Sequence, residues 1–68
     1  MKLDTAAWET AHNRQIVNYE QRVWRFRGEN AGAIHNVKVR GTWPEALNWA
    51  LPRIQDRLGP DATIRLCP

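Results

Sequence analysis

Cationic and large apolar side chains alternate along three short stretches of the sequence, at residues 24–27, 37–40 and 64–66. Successive side chains of a β-strand point to opposite faces of a sheet. The alternation therefore predicts one apolar face and one cationic face. Guanidinium and ammonium groups bind phosphates and carboxylates, so the chemistry of the second face is anion binding. The cations predicted to share it are Arg25, Arg27, Lys38, Arg40 and Arg65.

The charge balance of the chain favours an anionic partner. The chain has ten Lys and Arg residues and seven Asp and Glu residues, which gives a formal net charge of +3. Eight of the ten cations are arginine and two are lysine. We expect a non-enzymatic binding protein whose basic sheet face engages nucleic-acid phosphates or the nucleic-acid-binding surface of a larger complex. The competing interpretation is that these cations only keep sheet edges from pairing. Arg14 and Arg22 extend the face if the first strand has the right register.

The histidines and the cysteine offer little for metal binding or catalysis. A zinc site built from His12, His35 and Cys67 would have only three ligands, drawn from unrelated segments. His35 could act as a general base, as in small ribonucleases, which gives a histidine-dependent nuclease as a third hypothesis. Because no second catalytic group is recognisable, we predict no catalytic residue, no metal and no cofactor.

The aromatic residues are predicted to form the core rather than a base-stacking surface. Trp24 and Phe26 alternate onto the apolar face of their strand, and Trp43 is the first residue of the apolar face of a helix. Trp49 lies off that helix face and is a possible protein contact. It supports the second hypothesis, a small inhibitor or adaptor that binds an enzyme or nucleoprotein assembly, analogous in size to phage anti-defence proteins such as anti-CRISPR proteins.

The elements that position these side chains are a hairpin and a helix. Strands are predicted on either side of a glycine-containing turn at residues 28–32. Thr42 and Glu45 form a capping box that starts a helix over residues 43–58. Pro52 predicts a kink or break in that helix, and residues 62–67 form a last strand.

The first third of the chain is harder to assign. A short helix is predicted over residues 3–12, capped by Asp4 or Thr5. The apolar spacing over residues 15–27 fits either strands or a continuation of that helix to about residue 25, and the β-branched and aromatic content favours strands. The expected fold is therefore α+β, a small antiparallel sheet of three to four strands packed on one capped helix, with a short N-terminal helix.

Length and composition set the remaining limits. The chain has 68 residues, which suits a single domain over residues 1–68 with one small core. No apolar run is long enough to cross a bilayer and no signal-peptide pattern opens the chain, so we expect a cytoplasmic protein without membrane contact. An exposed edge at the first or last strand makes a homodimer possible.

Overall fold

The computed structural model of the chain describes residues 2–68, which form an α+β fold. A four-stranded sheet carries two helices on one face, and the core lies between these layers. The predicted fold class is therefore confirmed. The elements are β1 (Lys2–Asp4), α1 (Ala6–His12), β2 (Arg22–Asn30), β3 (Ala33–Gly41), α2 (Trp43–Leu58) and β4 (Thr63–Cys67).

The sheet is mixed rather than wholly antiparallel. Its strand order is β1-β4-β2-β3, with β1 parallel to β4 and the other pairs antiparallel. Leu3, which the sequence analysis placed in a helix, is the register partner of Ile64. The helix begins later, at Ala6, whose amide donates to Oδ1 of Asp4 at 2.9 Å. A strand of three residues is too short for its alternation to be recognised.

Residues 13–21 form a loop, so the strand expected over residues 15–20 is wrong, and so is the alternative of a helix that continues to about residue 25. Asn13 adopts a left-handed conformation (φ 53°) and its amide donates to the carbonyl of Thr10, which ends α1. Tyr19 is 85% exposed, so the apolar spacing over residues 15–27 does not reflect burial at this position. β2 starts only at Arg22.

The turn between β2 and β3 consists of two residues, Ala31 and Gly32. Both have positive φ, 50° and 87°, as a type I′ turn requires. A five-residue turn was predicted over residues 28–32, but the strand continues through Gly28 to Asn30. Pairing between β2 and β3 is thereby extended to the end of the hairpin.

Replacing Ala31 with asparagine is expected to stabilise the protein by up to about 1 kcal/mol, because asparagine tolerates left-handed backbone that alanine resists. Urea unfolding followed by circular dichroism measures the change. Ala33→Asn is the matched control: this exposed residue lies in a strand, where asparagine is disfavoured. An Ala31→Asn midpoint at or below the wild-type value would contradict the turn assignment.

Helix α2 packs its apolar face against β2 and β3 and continues through Pro52 without the predicted break. Proline removes only one amide donor, and Pro52 lies exposed, where water can solvate the carbonyl that loses its partner. The capping box is present, since Glu45 Oε1 accepts from the Thr42 backbone amide and hydroxyl, each at 2.9 Å. These two hydrogen bonds lower the pKa of Glu45.

The aromatic core is confirmed. Trp24 and Phe26 are each 1% exposed. The Trp43 ring lies 5.0 Å from the Trp24 ring and 5.8 Å from the Phe26 ring, between centroids. Trp8 from α1 completes the cluster, with its ring centroid 5.6 Å from that of Trp24. Trp24 also donates its indole N–H to the carbonyl of Gly41 at 2.9 Å, which ties β2 to the end of β3.

Gly28 allows α2 to lie close to the sheet. A Cβ at this position would lie 3.0 Å from Cδ1 of Leu58 and closer still to Cγ2 of Ile54. Packing against α2 therefore requires a glycine at position 28. The sequence had instead predicted that Gly28 belongs to the turn.

The Gly28→Ala variant is expected to unfold with a free energy lower by about 1–3 kcal/mol, since α2 must shift to admit the methyl group. Chemical denaturation measures this loss. In an Ile54→Ala background the same substitution should cost less, because the contacted methyl group is gone. An equal loss in both backgrounds would show that the contact with Ile54 is not the cause.

Candidate functional site

The five cations singled out by the sequence all lie exposed on the outer face, which we define as the sheet face opposite the helices. On β2 the buried residues Trp24 and Phe26 alternate with exposed Arg25 and Arg27. The other two strands repeat this alternation. We call this set the cationic band: Arg25, Arg27, Lys38, Arg40 and Arg65.

The strand register joins the cationic band into a continuous diagonal. Arg65 on β4 is the partner of Arg27 on β2, and Arg25 on β2 is the partner of Lys38 on β3. Arg40 lies two residues beyond Lys38 on the same face. From standard strand spacings, the band runs about 16 Å across β4, β2 and β3. Each cation therefore has a like charge as a near neighbour, an arrangement that destabilises a sheet.

Within residues 2–68, two carboxylates lie on the outer face, and neither was predicted there from the sequence. Glu29 forms an ion pair with Arg27, whose Nε lies 3.1 Å from Oε1. Asp4 is the register partner of Arg65. Glu29 was missed because β2 is longer than predicted, and Asp4 was missed because β1 was not predicted. Over residues 2–68, the other four cations of the band form no ion pair.

The cationic band is less balanced by carboxylates at one end than at the other. A hollow of about 300 Å³ at the hairpin end is lined by Arg27 and Arg65 together with Glu29 and Asp61. At the other end the register partners of Arg25 are Lys38 and Cys67, and the partner of Arg40 is Val23. The end formed by Arg25, Lys38 and Arg40 is therefore the more favourable one for an anion.

No aromatic ring occupies an outward-facing position on the strands that residues 2–68 form. The exposed apolar side chains there are Val23 and Ile34. Sheets that bind single-stranded nucleic acid by stacking present aromatic rings on this face. The outer face can therefore supply hydrogen bonds and charge to an anion, but no stacking.

Arg14 and Arg22 do not extend the cationic band, contrary to the sequence-based expectation. They lie on the helix side of the sheet, with guanidinium carbons 5.3 and 5.1 Å from the centroid of the Trp8 ring. Both form ion pairs with Glu20, at 2.8 and 3.2 Å. The sequence could have shown this for Arg22. It lies two residues before buried Trp24 on the same strand, so the two side chains point to the same face.

Trp49 and His35, which the sequence also singled out, lie on α2 and β3. Trp49 is exposed on α2, as expected, and the guanidinium carbon of Arg53 lies 3.7 Å from the centroid of its ring. His35 is half-buried at an inward-facing position of β3, and it lines a hollow with three side chains of α2, among them Asp56. No ionisable neighbour of His35 was predicted, because local spacing does not show where α2 crosses the sheet.

Other kinds of site find little support in the part of the chain that the structure describes. Within residues 2–68, no three His, Cys, Asp or Glu side chains are grouped so that they could hold a metal ion. Neither helix formed by these residues has the length and apolar character needed to cross a membrane. No family model matches the chain, and no curated protein or solved structure shows significant similarity to it.

Proposed function

We propose that this protein binds nucleic acid through its phosphates, with the cationic band as the contact surface. The observation that carries the proposal is the diagonal register of five exposed cations, of which one forms an ion pair within residues 2–68. Bound phosphates placed between neighbouring guanidinium groups would offset their mutual repulsion. Such contacts are charge-assisted and, for arginine, frequently bidentate.

The character of the face favours binding that is insensitive to base sequence. Phosphate contacts position a protein on nucleic acid but carry no sequence information. The outward positions of the strands formed by residues 2–68 offer four guanidinium groups and the ammonium groups of Lys2 and Lys38, but no stacking ring.

Fluorescence anisotropy with labelled single-stranded DNA and RNA tests this proposal. If the cationic band neutralises about five phosphates, the logarithm of the affinity should fall with the logarithm of salt concentration with a slope of about −3.5. This slope corresponds to a loss of about 100-fold between about 50 and 200 mM salt. Affinity that does not weaken as salt rises would rule out binding through phosphates.

A protein partner is a second candidate, favoured by the exposure of Trp49. Trp49 is 41% exposed, although tryptophan is mostly buried in proteins and is enriched at interface hot spots. A small inhibitor or adaptor would use the Trp49 ring as its apolar anchor. A pull-down from nuclease-treated lysate should then retain one protein specifically and lose it with Trp49→Ala. If the wild type and the Trp49→Ala variant retained the partner equally, an anchor at Trp49 would be contradicted.

A further inference from the structure

A second group of cations surrounds a hollow between β3 and α2, on the helix side of the sheet. The hollow has a volume of about 320 Å³ and is lined by His35, Arg53, Asp56 and Arg57. The three residues from α2 are spaced three and four apart, so they share one face of the helix. His35 reaches the hollow from β3. Four hydrogen-bonding side chains from two elements thus converge on one open space.

Arg53 is held in place by its own helix. Its guanidinium carbon lies 3.7 Å from the centroid of the Trp49 ring, and Nη1 donates to the Trp49 carbonyl at 2.7 Å. A side chain fixed in this way loses less conformational entropy when it binds a ligand. Within residues 2–68, neither Arg53 nor Arg57 forms an ion pair, although Asp56 lines the same hollow. Each guanidinium group therefore keeps donors for an oxyanion, although Nη1 of Arg53 already donates one hydrogen bond to Trp49.

We propose that this hollow binds a phosphate group that carries a proton. Arg53 and Arg57 donate hydrogen bonds to its charged oxygens, and His35 supplies a further ring nitrogen. Asp56 decides which anion fits, because an ionised carboxylate is a hydrogen-bond acceptor only. It can receive the O–H of hydrogen phosphate, whereas it repels an anion that has no proton to donate.

The requirement for a proton separates this site from the outer face. Inorganic phosphate retains at least one proton near neutral pH, while sulfate and the phosphodiesters of a nucleic-acid backbone retain none. The ligand is therefore inorganic phosphate or a singly protonated phosphomonoester. Because backbone phosphates do not meet this requirement, the proposal stands or fails independently of nucleic-acid binding by the cationic band.

Titration with inorganic phosphate and with sulfate at equal ionic strength, followed by amide NMR shifts, tests the proposal. Phosphate should bind about tenfold more tightly than sulfate. The O–H of phosphate donates a hydrogen bond to the Asp56 carboxylate, whereas sulfate has no proton and is repelled by it. Arg57→Gln should weaken phosphate binding about tenfold. Asp56→Asn should remove the preference, since the asparagine amide can donate to sulfate.

Arg14→Gln is the matched control, because it removes the same charge outside both the hollow and the cationic band, where Arg14 pairs with Glu20, and it should leave phosphate affinity at the hollow unchanged. Arg57 and Asp56 are exposed, so their variants should keep the wild-type circular dichroism spectrum. A mononucleotide and a dinucleotide diester then distinguish the sources of phosphate. Only the former should shift the amides around the hollow. Equal affinity for phosphate and sulfate, or equal weakening by Arg14→Gln and Arg57→Gln, would overturn the proposal.

Discussion

Replacing Arg25, Lys38 and Arg40 together with glutamine is expected to weaken binding to single-stranded nucleic acid by about 100-fold at low salt. The slope of log affinity against log salt should become less negative by about 2, because three phosphate contacts are lost. These residues form the end of the cationic band whose register partners include no carboxylate. Anisotropy titrations over a salt series measure both quantities.

A matched variant separates the cationic band from the net charge of the protein. Arg14, Arg53 and Arg57 lie off the outer face, and their replacement by glutamine removes the same three positive charges. This control should keep most of the wild-type affinity and slope. The band variant should also be at least as stable as the wild type, since like charges on neighbouring strands are removed. Equal weakening by both triple variants would show a general charge effect instead.

Replacing Trp24 with alanine is expected to lower the free energy of unfolding by about 3–5 kcal/mol. Its ring packs between Trp8 and Trp43, and its N–H satisfies the carbonyl of buried Gly41. A domain of this size buries little surface, so this loss approaches its whole stability. Urea unfolding followed by far-ultraviolet circular dichroism should show a variant that is largely unfolded without denaturant.

Two further tryptophan variants keep this prediction measurable. Trp24→Phe retains a ring but leaves the Gly41 carbonyl without its donor, which should lower stability by about 1–3 kcal/mol. Trp49→Ala removes an equally large but exposed side chain, and its effect should stay within about 1 kcal/mol. Similar unfolding midpoints for Trp24→Ala and Trp49→Ala would contradict the described core.

The elements with strong local signals were predicted well from the sequence. Helix α2 has the predicted bounds, because the Thr42 and Glu45 capping box and Gly59 mark its ends. The β2–β3 hairpin was recognised from its period-two alternation. β1 was not, since its three residues are held by pairing with β4 rather than by any local pattern. Ile16 and Tyr19 suggested regular structure, yet they lie in a loop where only Ile16 packs against the core.

The difference between local sequence pattern and tertiary packing also applies to the cationic band and to the hollow around His35. Strand parity alone placed all five cations on one face, because alternation is a property of the backbone. Their diagonal order, and the proximity of Glu29 to Arg27, depend on register and strand length. The hollow around His35 depends on where α2 crosses β3, which is set by Gly28 and the side chains packed against it. Tertiary packing of this kind leaves no spacing signal in the sequence.

Mapping amide NMR shifts during titration with a short single-stranded oligonucleotide tests nucleic-acid binding most directly. The largest shifts should lie on the outer face, at Arg25, Arg27, Lys38, Arg40 and Arg65, and they should shrink as salt is raised. Amides of α1 and of the exposed side of α2 should move little. Shifts concentrated on the helices, or none on the sheet at low salt, would contradict binding through the cationic band.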